Sequence, residues 1–189
     1  MFKRSALATM LIAATTPALA HTGQHAFSGF LTGFAHPLTG LDHTLAMVSV
    51  GLFASLLGGR ALWAVPASFV GMMLIGGMMG LASIEIPVVE FGIAASVIVL
   101  GAIVSLGRTW SVGVAMTLVG GFAVFHGHAH GAEIPAEAGA ALYSLGFTLA
   151  SAVLHGLGIV LGAVAARQTY AGRLAGAAVA IAGVVLLVG

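Results

Sequence analysis

His36, Asp42 and His43 are the only ionisable side chains between Phe27 and Leu57, in a stretch otherwise made of apolar, small and hydroxyl residues. An ionisable group at membrane depth costs roughly 3 kcal/mol even on a lenient scale unless it is paired or faces water, so such groups mark functional sites. Pro37 and Gly40 stand between the two histidines. Both residue types interrupt a helix and free backbone groups that lipid cannot satisfy. Two imidazoles, a carboxylate and irregular backbone, placed together, read as a binding site for a cation.

A second set follows in Phe125-His126-Gly127-His128-Ala129-His130-Gly131-Ala132-Glu133. His126 and His130 are four apart, so a continued helix would put them on one face. Gly127 and Gly131 leave alternation along extended backbone equally open. His155 is isolated in a later apolar run, Glu90 lies near the start of another, and His21 and His25 precede the first. Depth counted at about 1.5 Å per helical residue places Glu90, His126, His128 and His130 shallow and His36 near half way. His43 and His155 fall somewhat past the middle. That order predicts a ladder leading in from one side, not a single ring. His21 and His25 extend it at the mouth, while His128 and His130 lie in an exposed collecting segment. Imidazole with carboxylate suits nickel, cobalt or zinc; magnesium and calcium prefer oxygen alone, and copper(I) prefers sulfur. Structural roles compete. His155 could bond a neighbouring helix, His128 and His130 could be a solvated loop, and Glu90 could hold a backbone group. The trio His36, Asp42 and His43 is the hardest to explain that way. Met47, one turn after His43, is a possible lining residue.

The elements that must position these groups are membrane helices. The chain is 60% hydrophobic and 6% charged, with mean hydropathy +1.14, against about 25% charged residues in a soluble domain. The fold class is all-α, a polytopic helical membrane protein. Spans are expected near 26–57, 61–82, 86–106, 110–125, 139–165 and 172–188. The first exceeds one straight crossing, and a break between Pro37 and Gly40 accounts for the excess. Residues 1–20 carry Lys3 and Arg4, an apolar run and Ala18-Leu19-Ala20, the pattern of a cleavable signal peptide. Residues 21–189 then form a single six-helix domain with its mature N-terminus at His21. With that end outside, Arg60, Arg108, Arg167 and Arg173 fall at cytoplasmic ends, as positive-inside orientation requires, and Glu85, Glu133 and Glu137 fall outside. Six crossings return the C-terminus to the outside. A bacterial inner membrane is the expected setting, with both mature termini periplasmic. Glycine pairs such as Gly76/Gly80, Gly158/Gly162 and Gly172/Gly176 have the spacing that lets membrane helices approach closely. Cysteine is absent, which excludes disulfides and thiolate metal sites. A phosphate-binding glycine loop and a basic cluster are also missing, which argues against ATP-driven work and nucleic-acid binding.

The two histidine motifs, with Met47 after the first, resemble those of the HupE/UreJ family, small bacterial membrane proteins associated with nickel-dependent hydrogenase and urease systems. The resemblance covers essentially the whole mature chain and the leader. It implies a nickel permease, with cobalt transport in some members. It carries site roles onto His36, Asp42, His43, His126, His130 and Glu133, while His128 stands where family members vary. The first motif is also similar to the histidine-aspartate signature of larger nickel/cobalt transporters, with five residues here between His36 and Asp42 where that signature has four. The expected function is secondary or facilitated uptake of Ni²⁺, or Co²⁺, with the ion as cargo and no prosthetic group. The expected partners are the lipid bilayer and the metal ion, with a homo-oligomer or a nickel-enzyme maturation partner open. Two other readings compete: a membrane metal-binding accessory or sensor protein, and a zinc-dependent intramembrane hydrolase, in which the metal would activate water.

Overall fold

The described residues form seven helices: α1 (Gly29–Thr39), α2 (Leu41–Leu57), α3 (Ala61–Leu81), α4 (Val89–Leu106), α5 (Val112–Ala132), α6 (Ala140–Ala165) and α7 (Ala171–Val188). The computed structural model describes residues 29–134, 138–168 and 170–188, and no strand occurs among them. The leader, His21, His25 and Glu137 lie outside the described residues. Helices α3 to α7 are each long and apolar enough to cross a membrane, and the bent pair α1–α2 makes a sixth span. An apolar run can cross lipid only if each backbone group is satisfied within it, which a helix achieves. The ends are closed locally. Gly107 follows α4 in the left-handed conformation, at φ 63°, and its N–H reaches the Ile103 and Val104 carbonyls. Such a glycine caps a helix at no steric cost. The Ser111 hydroxyl accepts from Val114 N–H at the start of α5.

The spans pack through their smallest residues and turn their largest outward. In α7 only Gly176, Val179 and Gly183 are buried, while Leu174, Ile181, Val185 and Val188 are exposed. That inversion of a soluble helix suits a lipid surround, where close approach of backbones drives association. A Cβ added at Gly101 would meet the backbone of Gly176 and Ala180, and one at Gly183 would meet Ile98, so α4 and α7 run antiparallel. The Ser68 hydroxyl donates to the Met116 carbonyl at 2.9 Å, Gly76 abuts Val124 and Gly80 abuts His128, so α3 and α5 run parallel. Gly51 against His155 and Gly158, with Gly162 against Ser55, sets α2 parallel to α6. The glycine pairs thus act as contact seams. Gly172 is the exception, with only the Ala165 Cβ near it, at 3.8 Å.

The first span is bent by 82°, and the break is narrower than its sequence suggests. Pro37 lies inside α1, which continues to Thr39, and only Gly40 leaves the helix, at φ −88° and ψ 116°. The carbonyls freed there are recovered. Thr39 Oγ1 donates to the His36 carbonyl and Thr44 Oγ1 to the Pro37 carbonyl, each at 2.8 Å. That extended conformation is open to any residue, so the reason for glycine is space. A Cβ at Gly40 would sit 3.0 Å from Asp42 Oδ1 and 3.2 Å from His43 Nδ1. The second difference is at α5, expected to end near Phe125 but helical to Ala132. Gly127 and Gly131 do not interrupt it, because their lack of a side chain is used against α3. Cβ atoms there would strike the backbone of Met73 and Gly77.

An apolar core of Met47, Val50, Phe53, Phe69, Leu100, Val104 and Val119 fills the bundle toward the helix ends that carry Arg60 and Arg108. The polar residues gather above it, toward Glu133.

Candidate metal centre

Helix α5 supplies the back wall. Its helical course through the second motif puts His126 and His130 on one buried face and turns His128 away. Extended backbone would have presented all three histidines alike; the helix separates them. His128 Nε2–H donates to the Ile84 carbonyl at 2.7 Å, in the connection after α3. The bend at Gly40 supplies the front. His36 on α1 and His43 in the first turn of α2 stand on opposite sides of it, and both rings reach the α5 face.

The four imidazoles form one connected stack. Ring centroids are 4.6 Å apart for His36 and His130, 4.2 Å for His130 and His43, and 4.8 Å for His43 and His126. Glu133 closes the outer end, its Oε2 lying 3.5 Å from His36 Nε2. One ligand atom from each of His36, His130 and Glu133 lies within 4.8 Å of the others. Accessibility falls from the Glu133 end: the Glu133 side chain is 60% exposed and His36 31%, whereas His130, His43 and His126 are all buried. The expected ladder is therefore present as a gradient of burial, but compressed into a cluster. Along α5, His130 and His126 lie two and six residues from Ala132, roughly 3 and 9 Å at 1.5 Å per residue. The greater depth expected for His43 came from counting helical rise straight through the expected break, and the 82° bend there removes it.

Several ring nitrogens in the cluster have no hydrogen-bond partner. His43 Nδ1 lies 2.8 Å from Asp42 Oδ1, and the same oxygen accepts from the His43 backbone N–H at 2.8 Å. A carboxylate can only accept, so Nδ1 carries the proton and Nε2 is a bare lone pair. That Nε2 is buried and unpartnered, as are His126 Nδ1 and both ring nitrogens of His130. Leaving one such group unsatisfied costs about 1–3 kcal/mol. Several together, on rings in contact with one another, are candidate donors for a divalent first-row ion. Nothing softer than imidazole nitrogen lies in the set.

Two members were hidden in the sequence. The Tyr143 hydroxyl on α6 lies 2.5 Å from His36 Nδ1, and Ser96 Oγ on α4 lies 2.8 Å from His126 Nε2. Tyr143 carried a signal, being one of two tyrosines in the chain and set within an apolar run. Ser96 carried none, since serines are common in membrane helices. Other candidates stand apart. Glu90 is exposed in the first turn of α4 and does not join the cluster. His155 on α6 is 1% exposed, with both ring nitrogens unpartnered. The Phe69 ring separates it from the cluster, with centroids 5.6 Å from His126 and 5.1 Å from His155. Met47 is buried in the apolar core directly beneath.

Comparison with known proteins agrees with this arrangement of motifs. Residues 8–186 match the family model described as HupE / UreJ protein. The chain is similar to "Protein HupE" of Rhizobium leguminosarum bv. viciae, at 47% identity over 192 residues that cover 99% of this chain and 100% of that protein. No solved structure matches.

Proposed function

Since the chain belongs to the HupE/UreJ family, whose members serve nickel handling for hydrogenase and urease, we propose that it carries Ni²⁺, or the similar Co²⁺, across the bacterial inner membrane into the cytoplasm. The observation that carries this reading is the stack of four imidazoles between Glu133 and Ser96, graded from exposed to fully buried. A hydrated divalent ion meets Glu133 and His36 first. It exchanges water for the nitrogens of His130, His43 and His126 one at a time, so no step strips it bare. Asp42 acts chiefly through His43, fixing which nitrogen faces the ion and offsetting part of its charge. His21 and His25 extend the collecting end. His155 receives the ion beyond Phe69. The membrane potential favours entry by roughly 4.6 kcal/mol per 100 mV for a double charge, so no second energy source is required.

The placement of arginines sets the direction: Arg60, Arg108, Arg167 and Arg173 face the cytoplasm and Glu133 the periplasm. A cysteine introduced at the exposed Glu85 should react with an impermeant maleimide in intact spheroplasts, and one at the exposed Thr109 only after the membrane is opened. The reverse pattern would invert the proposed transport.

A second reading has one observation in its favour. The cluster is most exposed at its Glu133 end, which also suits an accessory protein that binds nickel outside and hands it to a partner. Proteoliposomes separate the two. A carrier accumulates radioactive nickel in the lumen, many ions per chain, under an inside-negative potential. A binding protein retains a fixed ratio that the potential does not change. In the same assay Asp42→Asn and His43→Gln should insert normally yet transport little nickel at any concentration. Near-normal maximal uptake by both would sink the proposed route.

A further inference from the structure

The proton positions around His126 can be counted, and the count gives Ser96 a role. Ser96 and His126 are both fully buried. Ser96 Oγ lies 2.6 Å from the Ile93 carbonyl in its own helix and 2.8 Å from His126 Nε2. A hydroxyl has one proton and a carbonyl can only accept. The Ser96 proton therefore goes to Ile93, and its oxygen must accept from His126. His126 then carries its proton on Nε2 and presents a bare Nδ1, the atom buried without a partner in the cluster. The approach is built by Gly92, one turn earlier on α4, where any Cβ would strike the ring of Phe125. That contact lays α5 on α4 and brings His126 within reach of Ser96.

We infer that Ser96 is a positioning residue for nickel: it locks His126 in the Nε2–H tautomer so that Nδ1 is held as a metal-binding lone pair. Asp42 holds His43 in the opposite tautomer, with Nε2 bare. The two imidazoles, with ring centroids 4.8 Å apart, are thus each fixed by a residue of a different helix, Asp42 of α2 and Ser96 of α4, and each keeps one bare nitrogen. Neither has to exchange its ring proton before it can bind. The inference rests on the reading of this cluster as a nickel site.

The test uses the full-length protein in lipid nanodiscs. Nitrogen-15 NMR of histidine-labelled protein, assigned with His126→Gln, should show His126 protonated at Nε2, and Ser96→Ala should let the Nδ1–H form appear. Titration with Ni²⁺ should show binding about 10–100-fold weaker in Ser96→Ala, the usual effect of removing a group that orients a metal-binding histidine. Ser96→Thr, which restores a hydroxyl, should recover most of that loss and the single tautomer. A purely structural serine would leave the tautomer unchanged. His126 protonated at Nδ1 in the wild type, or unchanged nickel affinity in Ser96→Ala, overturns the inference and leaves the transport reading standing. Absence of nickel binding by the wild type overturns both.

Discussion

His128 and His130 are two positions apart, yet one bonds a connecting segment and the other occupies the centre of the histidine stack. The sequence placed both in a collecting layer, because glycines on either side left the backbone undecided. Once α5 is helical, positions 126 and 130 share a face and 128 cannot. His130→Ala removes the ring that touches both His36 and His43, so nickel uptake should fall to background even at saturating nickel. His128→Ala removes one hydrogen bond, worth about 0.5–1.5 kcal/mol, from the edge of the site. Its maximal uptake should hold, with loss confined to low nickel. Initial rates across a nickel series, normalised to protein in the membrane, distinguish the two. Equal behaviour of the variants would place His130 outside the path. The ionisable members of the cluster were legible because charge is rare in an apolar chain. Ser96 was not, since its importance lies in where one proton goes, and that depends on a partner thirty positions away.

At the scale of elements, composition made the six spans plain, and the observed helix ends lie within about three residues of the expected ones, except at the end of α5. That end and the break in the first span both bear on glycine. A glycine in a membrane helix can break it or seat it against a neighbour, and local sequence does not say which. Gly40 breaks the first span while Gly127 and Gly131 seat α5 on α3, because only the latter face another backbone across a seam. Substitutions should separate these uses. Gly131→Ala drives a methyl group into the Gly77 backbone, which cannot move like a side chain, and overpacking of this kind costs about 1–3 kcal/mol or more. Lower accumulation and a lower melting temperature in detergent are expected, while Gly121→Ala, with open space around it, should change neither. Gly40→Ala should differ from both. The nearest atoms to the new methyl belong to the Asp42–His43 pair, so the protein should melt normally while its nickel affinity falls. A melting temperature lowered as far as that of Gly131→Ala would mean that Gly40 serves packing and not the site.

The three main seams of the whole molecule map onto one another when its halves are exchanged, although the contact of α2 with α4 has no counterpart between α5 and α7. Put the first span for the fourth, the second for the fifth and the third for the sixth. The parallel pair α2 with α6 then becomes α5 with α3, also parallel, and the antiparallel pair α4 with α7 becomes itself. These seams share the order of inverted repeats, which in many transporters are related around a shared site. The likeness of Gly33-Phe34-Ala35 to Gly121-Phe122-Ala123 is a faint sequence trace of it, legible mainly once the pairing is known. The contacts across the halves follow the same order: His43 of the first span meets His126 of the fourth, and Phe69 of the second meets His155 of the fifth. In this conformation the first contact is reached from the Glu133 end. The second is closed, because the fully buried Phe69 ring, backed by Met47 and Val50, stands between the cluster and His155. On the proposed route, an ion held by His126 would advance only when that ring moves. Phe69→Leu keeps apolar bulk but removes the plane that spans the gap. A packing role alone predicts a modest loss of stability, within the 0.5–3 kcal/mol common for core substitutions, and slower or unchanged flux. A gating role predicts the opposite sign: faster nickel entry into proteoliposomes at zero potential, with weaker discrimination against Mn²⁺, because an ion would no longer have to wait for the ring. Flux that stays at the wild-type rate, with unchanged selectivity, would assign Phe69 to the core and require the closure on the arginine side to lie elsewhere.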